Sequence, residues 1–506
     1  IYLHLDTTVL SGKRLAEYRT WHKLNMEVLQ RTANRGSIST GYDIDNSVKL
    51  EADNTEYLNR VIASGGNRKT WTISAWVKRT EISDASHGGG HTIFGVNVSG
   101  NEGTIVRFNT GTTAATLDTL QIDIGAGGTL SRSHTSQVFR DTSAWYHIVL
   151  AVDTTQGTAT DRFKLYVNGE LVTSYYSRNN PAQNFDTSNN QADNSCTQHI
   201  GAYTVSGTAY GKFCGYIAEV NHVDGAALAP TAFGEVDSDS GIWKPKAASP
   251  TYGTNGFFLD FADSGNLGDD ESGNGLDFTE VNIAAADQAT DTPTNNFCTF
   301  NAVNMSGSSA KLAEGATFTA STANGAFTTY GTMAPSSGKW WWEGKIQVFE
   351  SGSTYACIGA TTNLAGLPSV SAQLSGGHVI KLAKNQKWVL NSTGYTYGAT
   401  YADADIINVG LDLDNRKFYT YKNGTIDDAN GIDISSSTFD GFGSQWMPLV
   451  ITYGSGGASS YEINFGGYRT YGIGSPQSDG NGYGTFEYAP PSGYYALCTK
   501  NLAEFG

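Results

Sequence analysis

Alternating apolar and polar residues recur along most of this chain and predict β-strands. Residues 72–77, 146–152 and 213–220 alternate in this way, and Gly, Asn and Asp residues separate such runs. A period of two places every second side chain on the same face of a sheet, so each run can bury one face. Many short strands joined by turn residues are typical of β-sandwiches.

One seven-residue phrase occurs twice. Residues 163–169 read FKLYVNG, and residues 418–424 read FYTYKNG. Asn-Gly accepts positive φ at both central positions of a type I′ turn, so each phrase predicts a two-residue β-hairpin. The phrases lie about 250 residues apart, which is the size of one large sandwich, so we predict two β domains of related construction.

Residues 12–31 carry the one pattern that predicts a helix, because apolar residues recur there at spacings of three and four. An isolated helix of about 20 residues is marginal in water and must pack on something. Two interpretations stay open: packing on its own β domain, or a docking or trimerising stem. In the second, the anchor or oligomerisation residues are Leu15, Tyr18, Trp21, His22, Met26 and Leu29.

These patterns predict an all-β chain of two tandem sandwiches preceded by a short amphipathic helix. We place the helical segment at 1–35, the first sandwich at 36–295 and the second at 296–506. Sixty Gly, 27 Tyr and 10 Trp residues suit many turns and aromatic strands.

The charge balance excludes some partners. With 32 basic and 48 acidic residues, the net charge is −16, which is poorly suited to a polyanion, so no nucleic acid is expected. No run of 18 apolar residues occurs, so no membrane span is expected either. Among the five cysteines, Cys196 and Cys214 lie in neighbouring strand candidates and could pair, although two buried reduced thiols are the simpler interpretation.

Glu51, Asp53 and Glu56 form an E-x-D-x-x-E pattern that raises the question of glycoside hydrolysis. Two carboxyl groups about 5 Å apart can flank a glycosidic bond. Asn54-Thr55 reads as a turn, whereas a catalytic strand needs alternating apolar residues there. We therefore interpret the segment as a solvated acidic turn, with a glycan depolymerase that uses Glu51 and Glu56 as the alternative.

Metal ligands are sparse in the sequence. His87 and His91 are four residues apart, but the glycines between them exclude a helix, and no Cys, Asp or Glu stands beside them to complete a tetrahedral set. The loops 237–239 and 269–275 are acidic, and oxygen-rich loops can hold Ca²⁺, but neither has the ligand spacing of an EF-hand. We therefore expect no cofactor, and we interpret these loops as solvated turns. Ca²⁺ binding in the loops is the alternative.

Several separated phrases resemble known families. The first sandwich resembles a laminin-G-like, concanavalin A-like jelly roll in the phrases Trp71–Lys78, Trp145–Val149, Leu165–Gly169, Gly215–Val220 and Phe257–Phe261. The second resembles a SPRY domain in the phrases Gly338–Glu343, Val409–Asp414, Tyr421–Gly424 and Phe465-Gly466. The tandem is similar to virion appendage proteins, such as tail fibres, of tailed and especially marine bacteriophages.

This resemblance implies a non-enzymatic virion protein on the particle surface that binds a host-surface glycan or protein. It implies other virion proteins as partners through the N-terminal helix, and a homo-oligomer for which a trimer is favoured. The alternatives are the glycan depolymerase and a secreted or cell-surface lectin, and the absence of a signal segment weighs against the lectin.

Tyrosines that border the long polar loop 177–194 are the predicted ligand contacts. Tyr presents apolar area and a polar tip at low entropy cost, which suits sugar and protein surfaces alike. Strand packing is the alternative role, since aromatic residues favour strands. The candidates are Tyr175, Tyr176, Tyr203 and Tyr210.

Overall fold

The computed structural model describes residues 41–82, 90–97, 103–111, 113–192, 196–306, 311–320, 326–348, 356–362, 378–382, 387–390, 393–435, 444–453, 459–468 and 471–506. The predicted N-terminal helix and its six anchor residues lie outside these ranges, and so does His87. Within these ranges, no helix has the length and hydropathy that a membrane span needs. The described chain is all-β, with short 3₁₀ turns and a C-terminal helix, α1 (Thr499–Phe505).

The first half of the chain contributes the strands β1 (Ser47–Leu50), β2 (Tyr57–Val61), β3 (Thr70–Arg79), β4 (His91–Asn97), β5 (Thr104–Phe108), β6 (Thr119–Ala126), β7 (Thr129–Val138), β8 (Trp145–Asp153), β9 (Phe163–Val167), β10 (Glu170–Leu171), β11 (Tyr175–Ser177), β12 (Thr197–Ile200), β13 (Tyr203–Val205), β14 (Thr208–Tyr210), β15 (Gly215–Asp224), β16 (Gly234–Val236), β17 (Trp243–Pro245), β18 (Phe257–Leu259), β19 (Thr279–Val281) and β20 (Gln288–Ala289). Its 3₁₀ turns are Ala114–Thr116, Ala159–Asp161, Pro230–Ala232 and Ala285–Asp287.

Sixteen of these strands form two facing sheets, and β13–β14 and β16–β17 are separate two-stranded hairpins. Sheet I has the order β10-β9-β8-β3-β15-β1-β20, and β18 also pairs with β15; sheet II has the order β11-β7-β6-β5-β4-β12-β2-β19. The alternation predicted for residues 72–77 is present in β3, where Ile73, Ala75 and Val77 enter the core between the sheets. Ser74 and Trp76 lie on the outer face of sheet I, because neighbouring side chains of a strand point to opposite faces.

The second half contributes the strands β21 (Phe300–Ser306), β22 (Lys311–Ala313), β23 (Phe318–Ala320), β24 (Ala326–Gly331), β25 (Lys339–Val348), β26 (Ala356–Thr361), β27 (His378–Leu382), β28 (Lys387–Leu390), β29 (Thr393–Thr396), β30 (Ile406–Asp412), β31 (Lys417–Lys422), β32 (Thr425–Ile426), β33 (Ile432–Asp433), β34 (Met447–Tyr453), β35 (Ser460–Asn464), β36 (Gln477–Ser478), β37 (Thr485–Phe486) and β38 (Tyr495–Ala496).

Sixteen of these strands form a second sandwich, and β36 and β37 pair only with each other. Sheet III has the order β21-β24-β34-β26-β27-β28-β29, and sheet IV the order β22-β23-β35-β25-β30-β31-β32, with β33 on β31 and β38 parallel to β25. Trp340 and Trp342 of β25 enter the core, while Trp341 faces the other way, against Phe486 and Tyr494. The two predicted tandem sandwiches are therefore present.

Both predicted hairpins are confirmed as two-residue type I′ turns. Asn168 and Gly169 have φ of 49° and 82°, and Asn423 and Gly424 have φ of 48° and 77°. The Asn side-chain oxygen of each turn accepts a hydrogen bond at 2.8 Å from a backbone N–H of the strand that comes before the hairpin. The donor is His147 of β8 for the first hairpin and Ile406 of β30 for the second. The same seven-residue phrase thus builds the same local structure in both sandwiches.

A buried polar network joins the two sandwiches. Lys49 Nζ lies 3.1 Å from Glu56, 2.9 Å from Asp287 and 2.7 Å from Glu314 of the second half. Burial alone lowers the pKa of the Lys49 ammonium, but nearby Tyr468 and the three carboxylates outweigh it and raise that pKa. Burial also raises the pKa of Glu56, to about 7. One ammonium thus holds three acidic groups from both halves of the chain.

This network corrects the interpretation of Glu51 and Glu56 as part of a solvated turn. The turn itself is present at residues 52–55, but Glu51 and Glu56 are only 2% and 3% exposed. Glu51 Oε2 accepts the Glu314 N–H at 2.7 Å, and Glu56 pairs with Lys49. Their partners are distant in the sequence, so the local pattern could not reveal their burial.

The cysteines follow the simpler interpretation. All five are buried reduced thiols, and Cys196 and Cys214 form no disulfide.

Candidate ligand-binding cleft

An open cleft of about 510 Å³ lies on the outer face of sheet I, beside the junction of the two halves. Its floor comes from β3 and β8, one wall from the β16–β17 hairpin, and the other wall from residues 293–296 and Thr499. Four aromatic side chains dominate the lining: Tyr42, Trp76, Trp145 and Trp243. We call this feature the tryptophan cleft.

Three nearly parallel rings form the floor and wall of the tryptophan cleft. The His147 imidazole stacks on Trp76 with ring centres 4.5 Å apart and meets Trp243 edge to edge, with ring centres 5.9 Å apart and 20° between the ring planes. His147 and Trp76 are nearly fully buried, whereas Trp243 is half-buried. Trp243 therefore presents part of its indole to solvent on a rigid support.

Hydrogen bonds fix the imidazole in this stack. Trp243 Nε1 donates to His147 Nδ1 at 2.9 Å, so Nδ1 is the acceptor nitrogen. His147 Nε2 then carries the proton and donates to Ser74 Oγ at 2.8 Å. Burial lowers the pKa of His147 to about 3, which keeps the ring neutral at physiological pH. His147 is thus a support for Trp243 and not an acid or a base.

The first Asn-Gly hairpin sets the position of Trp243. A Cβ atom on Gly169 would lie 2.4 Å from the Trp243 ring, far inside van der Waals contact. Gly169 is therefore required both for its positive φ and for the close approach of the indole. Asn168 and Glu170, on either side of it, line the cleft.

Trp145 is anchored by the segment between the sandwiches. Its Nε1 donates to Asp291 Oδ1 at 3.0 Å, and Lys78 Nζ binds Asp291 Oδ2 at 2.7 Å. Lys78 also donates to the Asn296 side chain at 2.7 Å and to the Phe297 carbonyl at 3.0 Å. This second aromatic face is half-buried and held by charged groups behind it.

Polar groups surround the aromatic faces. Asp43 pairs with Lys500 at 3.3 Å, and Lys244 pairs with Asp237 at 3.1 Å. Glu170 is exposed on the rim. Half-buried indoles beside donors and acceptors suit a ligand with apolar ring faces and a hydrogen-bonding edge.

The tyrosines predicted from the sequence lie elsewhere, on the sheet II side of the first sandwich. Tyr175 is half-buried and packs edge-on against Phe163, while Tyr176 is 59% exposed. Tyr203 and Tyr210 stack across the β13–β14 hairpin with ring centres 5.9 Å apart, and Tyr210 is 41% exposed. The structure thus brings Tyr203 and Tyr210 into contact, but Tyr175 and Tyr176 lie on a different strand, β11. The role of these four tyrosines in binding stays a prediction.

The carboxylates of the alternative hypothesis do not line the tryptophan cleft. Glu51 and Glu56 are buried in the network that joins the sandwiches. In the acidic loops, Asp270 accepts the backbone N–H groups of Phe258, Ser272 and Leu276 at 2.9–3.0 Å, as a turn-forming aspartate does.

Sequence reasoning missed Trp145 and Trp243 as site residues. Trp145 was interpreted only as part of a predicted strand, and the residues around Trp243 showed no clear alternating or helical pattern. Only the packing of β17 over His147 shows that the two indoles face one cavity. The sequence did contain one signal. A glycine can mark a place where a side chain packs directly against the backbone, and Gly169 allows the Trp243 ring to do so.

Part of the first sandwich matches a known protein family model. Residues 45–230 match the family model of the concanavalin A-like lectin/glucanases superfamily. No curated protein sequence matches the chain.

Several solved structures resemble parts of the chain at low identity and low TM-score. The SPRY domain of human HERC1 is 16% identical, with a TM-score of 0.27, and the match covers 32% of this chain and 96% of that one. A Bacteroides ovatus ATCC 8483 protein, whose description proposes carbohydrate binding, is 17% identical, with a TM-score of 0.33 and coverage of 47% and 58%. A heptameric SAP-like pentraxin from Limulus polyphemus is 16% identical, with a TM-score of 0.27 and coverage of 37% and 80%.

The family match and the sheet topology agree on the fold class. The chain is all-β, and its first sandwich is concanavalin A-like. The predicted domain boundaries at 35/36 and 295/296 stay predictions.

Proposed function

We propose that this protein is a non-enzymatic adhesion protein that binds glycan through the tryptophan cleft. The observation that carries the proposal is the pair of half-buried indoles, Trp145 and Trp243, which flank one cavity and are held from behind by His147 and Asp291. Sugar rings have apolar faces and hydroxyl edges, so they stack on fixed aromatic rings and bond to polar rims. The match of residues 45–230 to a superfamily of lectins and glucanases supports the same ligand class.

We further propose that the protein is carried on the virion surface of a tailed bacteriophage, as a tail fibre or related appendage. The support is the tandem of laminin-G-like and SPRY-like phrases, which is similar to such virion proteins. In this role the N-terminal segment 1–35 docks on other virion proteins and holds a homo-oligomer, with a trimer favoured.

The binding proposal is tested with the full chain on a glycan array that includes polysaccharides from bacterial surfaces. We expect selective binding of one glycan class, and loss of that binding in Trp243→Ala and Trp145→Ala. Circular dichroism and thermal unfolding of the variants show whether they remain folded. Binding that both variants retain contradicts the cleft as the site, and no binding to any glycan contradicts the ligand class.

A reducing-sugar assay on the bound polysaccharide separates adhesion from hydrolysis. We expect no release of reducing ends. Release that Glu51→Gln abolishes establishes the depolymerase alternative instead.

The virion proposal is tested by deletion of residues 1–35. We expect the remaining chain to stay folded but to lose oligomerisation, measured by light scattering, and to lose attachment to particles. A truncated chain that still assembles and attaches contradicts the anchor. A chain that is secreted by a cell and never found on particles favours the lectin alternative.

A further inference from the structure

Four strand ends meet at one end of the first sandwich and bring metal-ligating side chains together. Glu81 follows β3, His91 opens β4 and Cys214 precedes β15, and their ligand atoms all lie within 4.8 Å of one another. Glu51 follows β1, and its Oε1 accepts a hydrogen bond from Cys214 Sγ at 3.6 Å. The sequence did not suggest this cluster, because Glu81 and Cys214 are not beside His91 in the chain.

The backbone holds these side chains in place. Gly215 pairs with Leu50 of β1 on one side and with Arg79 of β3 on the other, so the three ends of sheet I are aligned. The Thr80 N–H donates to the Cys214 carbonyl at 3.2 Å and extends that alignment past the strands. His91 comes from sheet II, so the cluster spans both layers of the sandwich.

Two glycines permit this convergence. Gly215, next to Cys214, has φ of 135°, and a Cβ there would lie 2.1 Å from the Lys78 carbonyl oxygen. Gly90, next to His91, has φ of 96°, and its Cβ would lie 2.4 Å from the Phe108 carbonyl oxygen. Any other residue at either position would push its neighbour out of the cluster.

The electrostatics of the cluster favour a cation. Cys214 and His91 are fully buried and Glu51 is 2% exposed, so negative charge there is poorly solvated. A divalent cation among these groups compensates the carboxylates of Glu51 and Glu81 and stabilises the thiolate.

One neighbouring charge is already balanced. Arg79 Nη2 lies 3.5 Å from His91 Nδ1, but the same nitrogen pairs with Asp118 at 3.1 Å. Arg79 also donates to the Phe139 carbonyl at 2.6 Å, which fixes the guanidinium behind the imidazole. Asp118 offsets the Arg79 charge beside His91, and it shares its other oxygen with Arg140 at 2.9 Å.

We propose that Cys214, His91 and Glu81 bind a zinc ion, with Glu51 as the fourth ligand. Thiolate, imidazole and carboxylate together suit zinc, whereas calcium and magnesium take oxygen ligands. Zinc bonds of about 2.0–2.3 Å place tetrahedral ligand atoms roughly 3.5 Å apart. The ligand atoms of Glu81, His91 and Cys214 lie within 4.8 Å of one another, and Glu51 Oε1 lies 3.6 Å from Cys214 Sγ. The ion ties sheet I to sheet II, as a disulfide would.

The test uses the full chain stripped of metal with a chelator and titrated with Co²⁺, which takes zinc sites and reports thiolate ligation by a charge-transfer band. We expect the band to saturate at one Co²⁺ per chain and to be displaced by one Zn²⁺. Cys214→Ala should lack the band, and Glu51→Gln, which removes a charged ligand, should bind Co²⁺ more weakly than the wild-type chain. Cys196→Ala, which removes another buried thiol of the same sandwich, is the matched control and should keep it.

A band that survives Cys214→Ala, or the lack of any band in the wild-type chain, overturns the proposal. Native mass spectrometry of the wild-type chain with one equivalent of Zn²⁺ gives a readout that does not depend on the folding of a variant. One tightly held zinc per chain, together with a rise in the unfolding temperature, supports the site. A chain that holds no zinc contradicts it.

Discussion

Trp243 donates its indole N–H to His147 Nδ1 at 2.9 Å, and the two nearly parallel rings meet edge to edge with their centres 5.9 Å apart. The small β16–β17 hairpin is thereby attached to β8 of the large sheet, and one face of the indole is left toward the cleft. A ligand that stacks on this ring meets a surface that is already ordered, so little entropy is lost on binding.

Gly169→Ala should displace the Trp243 side chain from its position in the cleft. The new methyl group would lie 2.4 Å from the indole, in addition to the strain of a φ of 82°, so we expect a loss of about 2 kcal/mol or more in stability and weaker glycan binding. Gly207→Ala is the matched control, because Gly207 has a φ of 81° but no atom within 4 Å of the added Cβ. Urea unfolding and glycan titration of both variants measure the difference. Equal losses in the two variants contradict the role assigned to the contact.

The exposed tyrosines Tyr176 of β11 and Tyr210 of the β13–β14 hairpin provide a second test of where the ligand binds. Tyr176 and Tyr210 are on the other layer of the first sandwich from the tryptophan cleft. We expect Tyr176→Ala and Tyr210→Ala to change stability by no more than about 0.5 kcal/mol, as exposed positions do, and to leave binding of a short oligosaccharide unchanged. Loss of that binding in either variant, measured by calorimetry, would instead place the contact on the surface predicted from the sequence.

Lys49→Met should weaken the whole protein. Removal of the ammonium leaves the carboxylates of Glu56, Asp287 and Glu314 without their shared partner, and breaking a buried pair in this way costs about 3–5 kcal/mol. Lys69→Met is the control, since Lys69 lies 3.9 Å from Asp186 on the surface, where a pair contributes about 0–1 kcal/mol. Denaturant unfolding of the full chain compares the two, and a small effect of Lys49→Met would show that the network does not hold the sandwiches together.

The buried carboxyl groups of Glu219 and Glu343 should contribute stability that is lost as the pH rises from about 5 to 7, whereas the buried imidazoles of His147 and His222, whose pKa values burial lowers to about 3, act in the opposite sense. Burial raises the pKa of Glu219 and that of Glu343 from an ordinary value near 4.5 to about 7. Between these two values the folded chain keeps the protons of both glutamates, whereas the unfolded chain has released them. The stability that these two groups contribute is therefore complete below a pH of about 4.5 and is lost as the pH rises through about 7. At about 1.4 kcal/mol for each pH unit, one such group accounts for up to about 3 kcal/mol.

Thermal unfolding at pH 5 and pH 8 measures this dependence. We expect the wild-type midpoint, taken relative to that of Glu343→Gln, to be lower at pH 8 than at pH 5, because the glutamate titrates in this range and the amide does not. A difference between the two midpoints that stays constant, or that changes in the opposite sense, contradicts the expected direction.

Separate fragments 36–295 and 296–506 should each fold but be less stable than the full chain. Tyr216 donates to the Gly315 carbonyl at 3.0 Å and packs with Tyr468, and both rings are nearly fully buried at the junction. Cutting the chain exposes these rings and removes the partner of Glu314. Calorimetry of each fragment measures the loss, and fragments that do not fold contradict the predicted boundary.

The sequence determined those features whose physical cause is local. The Asn-Gly pairs fixed both type I′ turns, since the two residues that accept positive φ are adjacent in the chain. The alternation in β3 fixed which residues enter the core, because the period of two is a property of the strand itself. Two sandwiches followed from many repetitions of such local signals.

Only the tertiary structure decided which side chains meet across the fold. Glu51 and Glu56 are a local turn in sequence, yet their burial depends on Lys49 and on Glu314 from the other sandwich. Trp145 and Trp243 share a cleft only because β17 folds back over β8. Contacts between residues about 100 or more apart are set by strand order and register, which a single alternating pattern does not encode.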